Sequence, residues 1–289
     1  VITGCDSGFG KLISIKLNLL GFHVISGCIT NEGVESLKDI VSISLICDVT
    51  KENDINNLFK QTELYLEKNQ LKLWAVINNA GIGNSGSFDW IPLETIRKVM
   101  EVNFFGVVAV TKAFLPLLKK TKNSRIVNLS SVAGFSSAPM MGAYAASKHA
   151  VEGMFKSVRE ELKPWNIHVV NINPGFFKTP IVTSNTAETL KTFNSIPEEI
   201  KSQYTSDLFV PNEAMLSLLE DPNLVVETIV EALTKEYVPM WLFPGIQANY
   251  FARHNTSVTN GMMELLSLAL PASLYPKPKK EVLKSLQGE

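Results

Sequence analysis

Short apolar runs alternate along the chain with longer stretches of helical period. Val1–Thr3, Phe22–Ser26, Ser42–Cys47, Leu73–Ile77, Arg125–Leu129, His168–Ile172 and Met240–Phe243 have strand length and are nearly all apolar. Between them, residues 9–20, 33–40, 51–68, 93–120, 142–163 and 222–236 repeat apolar positions at helical spacing. A strand that is apolar on both faces must be covered on both, and alternation with helices supplies that cover through parallel crossovers. The pattern predicts an α/β fold of Rossmann type. It is a doubly wound, seven-stranded parallel sheet in three α/β/α layers, and 1–289 forms a single domain.

Two features interrupt the rhythm. Pro116 lies inside a helical pattern, where a missing N–H and a ring clash predict a kink or an early end. Residues 178–221 carry no strand pattern and many polar residues. They are expected to form a loop-rich, substrate-binding insert at the carboxyl edge of the sheet, where open α/β sheets bind ligands.

Composition agrees with a large core: 45% of the residues are hydrophobic and 19% charged. A formal net charge of −1 gives no support for a nucleic-acid partner. The lysines at 119, 120 and 122, and at 277, 279 and 280, read as a solvated helix end and a tail. The three cysteines, Cys5, Cys28 and Cys47, lie in or beside apolar runs without metal-ligand spacing, so they read as reduced and buried, and no metal site is expected. Glycosylation sequons fall at Asn128 and Asn255, the first inside a core strand and therefore accidental. No apolar run of transmembrane length is evident. Met262–Tyr275 is apolar but short, and fits a core helix, dimer packing or a membrane-touching surface. The chain opens inside a strand, which predicts an upstream segment carrying any targeting signal or anchor.

Between the first strand and first helix lies Thr3-Gly4-Cys5-Asp6-Ser7-Gly8-Phe9-Gly10. Glycines at a strand–helix turn let the backbone approach a pyrophosphate, which the helix N-terminus then holds. A carboxylate ending the second strand would bind the adenosine ribose and reject a 2′-phosphate. Ser26-Gly27-Cys28-Ile29-Thr30 has no acid there and no base either, Ser7 is uncharged, and Asp6 would repel a phosphate. The expected cofactor is therefore NAD, with NADP the weaker candidate. Asp48, with Val49 beside it, ends the third strand and can either accept from the adenine amino group or cap the next helix.

Tyr144 and Lys148 stand four apart on a predicted helix, on one face. A free phenol has a pKa near ~10, and a nearby cation favours its phenolate, so this pair can serve as a tuned acid/base for alcohol chemistry. Ser131, thirteen residues earlier at a strand end, can hold the substrate oxygen; alternation allows either Ser131 or Ser130, not both, to face the cleft. Asn103 is a polar residue in an apolar helical run. Its amide either holds a water that feeds protons to Lys148 or is satisfied by backbone. Asn78, Asn79, Ala80 and Gly81 end the fourth strand, where the amides tie neighbouring strands and Ala-Gly leaves room for the cofactor. Pro174, Gly175, Phe177 and Thr179 follow the sixth strand, where backbone and hydroxyl can clamp the carboxamide and phosphates. Phe88, Trp90, Phe135, Met140, Met141, Phe176, Phe177, Phe209 and Met215 are candidate linings of an apolar pocket, or simple packing.

In order and interval, these motifs resemble the short-chain dehydrogenase/reductase family over essentially the whole chain. The stretches Ile2–Gly10, Trp74–Gly81 and Pro174–Thr179 are similar to the branch of retinol, 3α/17β-hydroxysteroid and D-β-hydroxybutyrate dehydrogenases. The resemblance implies a catalytic tetrad of Asn103, Ser131, Tyr144 and Lys148. It implies a cofactor site at Gly4, Ser7, Gly8, Phe9, Gly10, Asp48, Val49, Asn79–Gly81, Tyr144, Lys148, Pro174, Gly175, Phe177 and Thr179. It also implies a small apolar alcohol or ketone substrate and mostly NAD. Homo-oligomers would pair through 93–120 and 142–163, and an N-terminal segment would attach the protein to the endoplasmic reticulum membrane or a mitochondrial one. Thr183–Asp221 does not match one member of the branch over another.

Overall fold

The computed structural model describes residues 1–204 and 217–254, without the side chains of 182–186 and 254. The expected Phe209 and Met215 linings, the Met262–Tyr275 stretch, the Asn255 sequon and the C-terminal lysines lie outside those residues.

Seven strands, β1 (Ile2–Thr3), β2 (Ile25–Cys28), β3 (Ile43–Ile46), β4 (Ala75–Asn78), β5 (Arg125–Leu129), β6 (His168–Ile172) and β7 (Trp241–Leu242), form one sheet. Its order is β3-β2-β1-β4-β5-β6-β7 and every pairing is parallel. The chain winds outward from β1 to one edge and then from β4 to the other, so the loops after β1 and β4 part and open a crevice at their carboxyl ends. β2 and β4 start later than the apolar runs suggest, because Phe22 and Leu73 pack against the core from the approach to each strand.

Helices α1 (Gly8–Leu19), α2 (Asn31–Leu37), α3 (Glu52–Lys68), α4 (Leu93–Met100), α5 (Val107–Leu118) and α6 (Gly142–Leu162) connect the strands. Further on come α7 (Pro180–Ser195), α8 (Glu198–Lys201), α9 (Asn223–Thr234) and α10 (Gly245–His254). One core, under α1 and α9, gathers Ile13, Leu17, Val225 and Ile229 against Ile2, Val127 and Val170. The other, under α3, α5 and α6, gathers Leu58, Phe114, Val151 and Phe155 against Val76, Ile126 and Val169. Arg125 is buried beneath α9, with Nε donating to Ala232 O at 3.0 Å and the guanidinium lying 4.5 Å from the Trp74 ring centroid. It thereby satisfies a carbonyl at the C-terminal end of that helix.

Two expectations are corrected. The described part of 178–221 is not loop-rich, since α7 and α8 occupy much of it. Thr179 precedes α7 in extended backbone and Pro180 sits in its first turn, a start signal that the polar composition hid. Glu220 also pairs with Phe177 in a parallel bridge, where the insert rejoins the sheet edge. The 93–120 helix is interrupted by a π-helical turn at Glu101–Gly106, well before Pro116, and α5 ends two residues after that proline. Leu93–Leu118 runs long and apolar enough to span a membrane by length and hydropathy, which the sequence reading did not register. The inner face of α5 is instead spent on the sheet: Val110, Phe114 and Leu118 are fully buried.

One polar line crosses this core. Asn78, Asn128 and Asn171 stand in register on β4, β5 and β6. Asn78 Nδ2 donates to Thr111 Oγ1 at 2.9 Å and to Asn128 Oδ1 at 2.8 Å, and Asn128 Nδ2 donates to Asn171 Oδ1 at 2.9 Å. Each amide is buried, so each depends on its neighbour. Asn128→Leu should leave two buried amide groups without a partner and lower stability by about 2–5 kcal/mol, read from urea unfolding midpoints.

Candidate active site

The glycine loop is held by β4. Thr3 Oγ1 accepts from the backbone N–H of Asn79 and Ala80, at 3.2 and 3.1 Å. Asn79 Nδ2 donates to the carbonyls of Thr3 and Gly4, both at 2.9 Å. Gly4 and Gly8 have φ of +69° and +54°, a backbone region that L side chains avoid. A Cβ on Gly10 would stand 2.3 Å from Gly4 O, so no larger residue fits where α1 begins. Ser7 is the exposed N-cap of α1 and makes no capping bond with its hydroxyl. Thr179 faces this loop: a Cβ on Gly8 would lie 3.7 Å from Thr179 Cβ. Two backbone walls thus stand opposite each other at the first helix N-terminus, a fit for a pyrophosphate.

Not every residue of the expected cofactor set presents a side chain there. Phe177 is buried in the core and packs edge-on against Phe9, with ring centroids 5.7 Å apart. Both side chains therefore brace the loops. Val49 is buried against the π-helical turn, where a Cβ on Gly106 would meet its Cγ2 at 2.7 Å. Asp48 Oδ1 accepts from the N–H and the hydroxyl of Thr50, at 3.0 and 2.7 Å, which closes a local turn; the N-cap of α3 is Lys51, so Asp48 does not cap that helix. Partial burial pushes its carboxyl up, but Thr50 and Lys51 outweigh that and hold it below the usual carboxylate range. Pro174 O accepts from Val132 N at 3.1 Å, and Gln247 packs on Gly175, joining the β6 loop to the turn after β5 and to α10.

Ser131, Tyr144 and Lys148 converge. Ser131 caps the short 3-10 turn Val132–Gly134, its Oγ accepting from Ala133 N at 3.1 Å, and it lies near enough to the Tyr144 hydroxyl to favour its ionised form. Ser130 points elsewhere, its hydroxyl close to Gly134. Lys148 Nζ donates to Leu129 O at 2.7 Å and lies 5.6 Å from the centroid of the Tyr144 ring. Asn103 sits in the π-helical turn and is fully buried. Its Oδ1 accepts from Ile82 N at 2.8 Å, while Nδ2 donates to Ile82 O and to Ser147 Oγ at 3.0 and 3.1 Å. Backbone and Ser147 therefore satisfy this amide, the second of its two alternatives. Asn103 ties the segment after Gly81 to α6, and a Cβ on Gly81 would stand 3.4 Å from Asn103 Oδ1 and 3.9 Å from Lys148 Nζ. A π-turn is a common device for re-aiming one side chain at a functional site.

Burial governs the charges. It raises the Tyr144 phenol above its ordinary value, opposed by the nearby Ser131 hydroxyl. The pair spacing predicted a lowered phenol. Here the ammonium is directed at Leu129 O, so desolvation prevails. Burial also pushes Lys148 down to about 8, opposed by the charge of Glu152. All three cysteines are buried and free, and burial lifts Cys5 and Cys47 to about 12 and Cys28 to about 11, so they are inert thiols. Among the described residues no His/Cys/Asp/Glu group could hold a metal.

Sequence reasoning missed Glu152 and Glu220, and gave Asp6 only as a charge that would repel a phosphate. Asp6 accepts from the backbone N–H of Ile29 and Thr30, each at 2.9 Å, and from the Thr30 hydroxyl at 2.7 Å, joining the glycine loop to the end of β2. Glu220 accepts from Ile246 N at 2.8 Å at the start of α10. For Asp6 a signal existed, an acid beside a strand end that has none.

On the linkage between charge and stability, folded Lys148 releases its proton near pH 8, whereas an unfolded lysine holds it until about 10.5. Between those values the unfolded state binds more protons, so stability rises with pH there. The urea midpoint of the protein, measured against that of Lys148→Met, should increase from pH 8 to 10; a flat difference would contradict a buried ammonium.

The family model for short chain dehydrogenases matches residues 1–190. Human dehydrogenase/reductase SDR family member 9 is 36% identical over 97% of this chain and 88% of its own length. Bovine 17-beta-hydroxysteroid dehydrogenase type 6 is 36% identical over 86% of this chain and 81% of its own. Mouse retinol dehydrogenase 5 is 33% identical over 86% and 80%. The structure of a 3-ketoacyl-(acyl-carrier-protein) reductase from Brucella melitensis, complexed with NADH, superposes with a TM-score of 0.66 at 25% identity over 83% of this chain and 93% of that one. The chain belongs to the short-chain dehydrogenase family, and is an oxidoreductase that interconverts an alcohol and its carbonyl with a nicotinamide cofactor.

Proposed function

We propose that the protein acts on a hydroxyl group of an apolar, lipid-sized alcohol of retinoid or hydroxysteroid type, reversibly and with NAD. The observation that carries the reading is the convergence of Tyr144, Ser131 and Lys148 at the carboxyl edge of the sheet, across from the glycine loop. In the oxidising direction the Tyr144 phenolate accepts the hydroxyl proton of the substrate. Ser131 Oγ holds the substrate oxygen beside the phenol. The Lys148 ammonium lowers the cost of the phenolate once the site is closed to water. Gly4, Gly8, Gly10 and the first turn of α1 hold the pyrophosphate, with Thr179 opposite, and Lys148 holds the nicotinamide ribose. NAD, when bound, supplies the two-electron acceptor.

The apolar substrate class rests on the insert. Trp90 is buried among Met140, Phe193, Ile196, Ile200 and Tyr204, so α7 and α8 build an apolar wall over the loop that follows β4. Thr189 Oγ1 donates to Ser85 O at 3.1 Å, and the Tyr204 hydroxyl donates to Asp89, pinning the wall from both ends. Phe135 instead packs with Trp241, Phe243 and Phe251, and Phe88 is almost fully exposed; neither belongs to that wall. Both steroid and retinol dehydrogenases stand among the relatives.

The preference for NAD rests on Asp6. Its carboxylate lies at the end of β2, where a 2′-phosphate would have to be placed, and no base among residues 26–30 offsets it. With retinol, androgens and 3-hydroxybutyrate as test alcohols, kcat/KM should be at least tenfold higher with NAD than with NADP on whichever alcohol reacts. Equal or better use of NADP would overturn the cofactor assignment. Turnover of 3-hydroxybutyrate alone would overturn the substrate class. Tyr144→Phe should lower kcat by about 10²–10⁴-fold with NADH affinity nearly unchanged, checked by steady-state rates and fluorescence titration.

A further inference from the structure

Glu152 is a buried carboxylate that the steps above leave unused. It stands one helical turn beyond Lys148 and two beyond Tyr144 on one face of α6, and only 7% of it is exposed. Its Oε2 accepts from Asn171 Nδ2 and from Trp241 Nε1, both at 2.8 Å. It is thus the terminus of the polar line that crosses β4, β5 and β6. Oε1 has no partner among the described residues. A Cβ on Gly134 would lie 2.8 Å from Glu152 Cγ, so the glycine that follows Ser131 leaves room for this side chain. A carboxylate so buried is costly unless donors and a cation offset it. Lys148, 5% exposed, has the complementary need: the acceptor it is given is a neutral carbonyl.

We propose that Glu152 is a positioning residue of the reaction: the sheet locks its carboxylate one turn from Lys148, as the counter-charge that keeps the buried ammonium protonated and beside Tyr144. The proposal rests on the reading of Lys148 given above. Glu152 opposes the effect of burial on Lys148. The other charged groups of the packed elements stand apart. Glu94, Arg97, Lys98 and Glu101 are exposed, and Arg125 and His168 sit at the amino ends of β5 and β6.

The test is the pH dependence of NADH affinity, by fluorescence, together with the pH profile of kcat/KM for retinol, in the full chain. Affinity and rate should fall on an alkaline limb where Lys148 loses its charge. In Glu152→Gln, which keeps an oxygen for Asn171 and Trp241, that limb should move down by about one pH unit. Trp241→Phe, at a partly exposed site, should move it the same way by less. An unshifted limb in folded Glu152→Gln overturns the proposal, whatever happens to the overall rate; if that variant does not fold, an unshifted limb in Trp241→Phe overturns it. Lys148→Met should lack the limb altogether. A limb that survives in Lys148→Met rejects the role of Lys148 itself, a separate failure.

Discussion

Asn128 bonds sideways in both directions. Through it β4, β5 and β6 are held in one register by side-chain amides as well as by their backbone ladders. In a dry core an amide that loses its neighbour has no water to turn to, so the line tolerates no slip. A slip of one residue would also turn every apolar side chain to the other face. The three loops proposed to carry the chemistry leave from the ends of these strands: Asn79–Gly81 from β4, Ser131 from β5 and Pro174–Thr179 from β6. Their relative heights are therefore set inside the sheet.

From that frame the site is assembled by close approach. Gly10 lies against Gly4 O, and Asn79 and Thr3 bind the glycine loop to β4. The π-helical turn rotates Asn103 inward onto Ile82 and Ser147, which fixes the segment after Gly81 against α6. α6 then presents Tyr144, Lys148 and Glu152 along one face, with the turn at Val132–Gly134 packed against it. Rigid strands and helices thus hold the proposed acid/base group, while α7 and α8 of the insert build the apolar wall around Trp90. In the proposed reaction, positioning of the reacting groups and contact with the substrate fall to different parts of the chain.

Charge within this site is governed by burial more than by pairing. The spacing of Tyr144 and Lys148 suggests a phenol depressed by an ammonium, but the ammonium is directed at Leu129 O and the phenol stays high. A cation buried beside a phenol carries its own desolvation cost, and Lys148 falls to about 8 for that reason. Asp6 shows the same economy of buried or half-buried charge, with its carboxylate given three donors at the β2 edge.

The sequence by itself determined the layered parallel sheet, because apolar runs of strand length alternating with helical periods admit few other arrangements. It also determined Gly4, Gly8 and Gly10, and the Tyr144–Lys148 pair, because turn chemistry and i, i+4 spacing are local. Tertiary structure alone decided the rest. Polar residues 180–195 become helix because α7 packs on Trp90, a contact no local period announces. Asn103 turns inward because the π-turn shifts its phase, and Phe177 goes to the core because Phe9 receives it. Asn78, Asn128 and Asn171 are each legible as a polar residue in an apolar run. That they form one line ending at Glu152 depends on strand order and register, and these exist only when segments distant in the chain lie side by side.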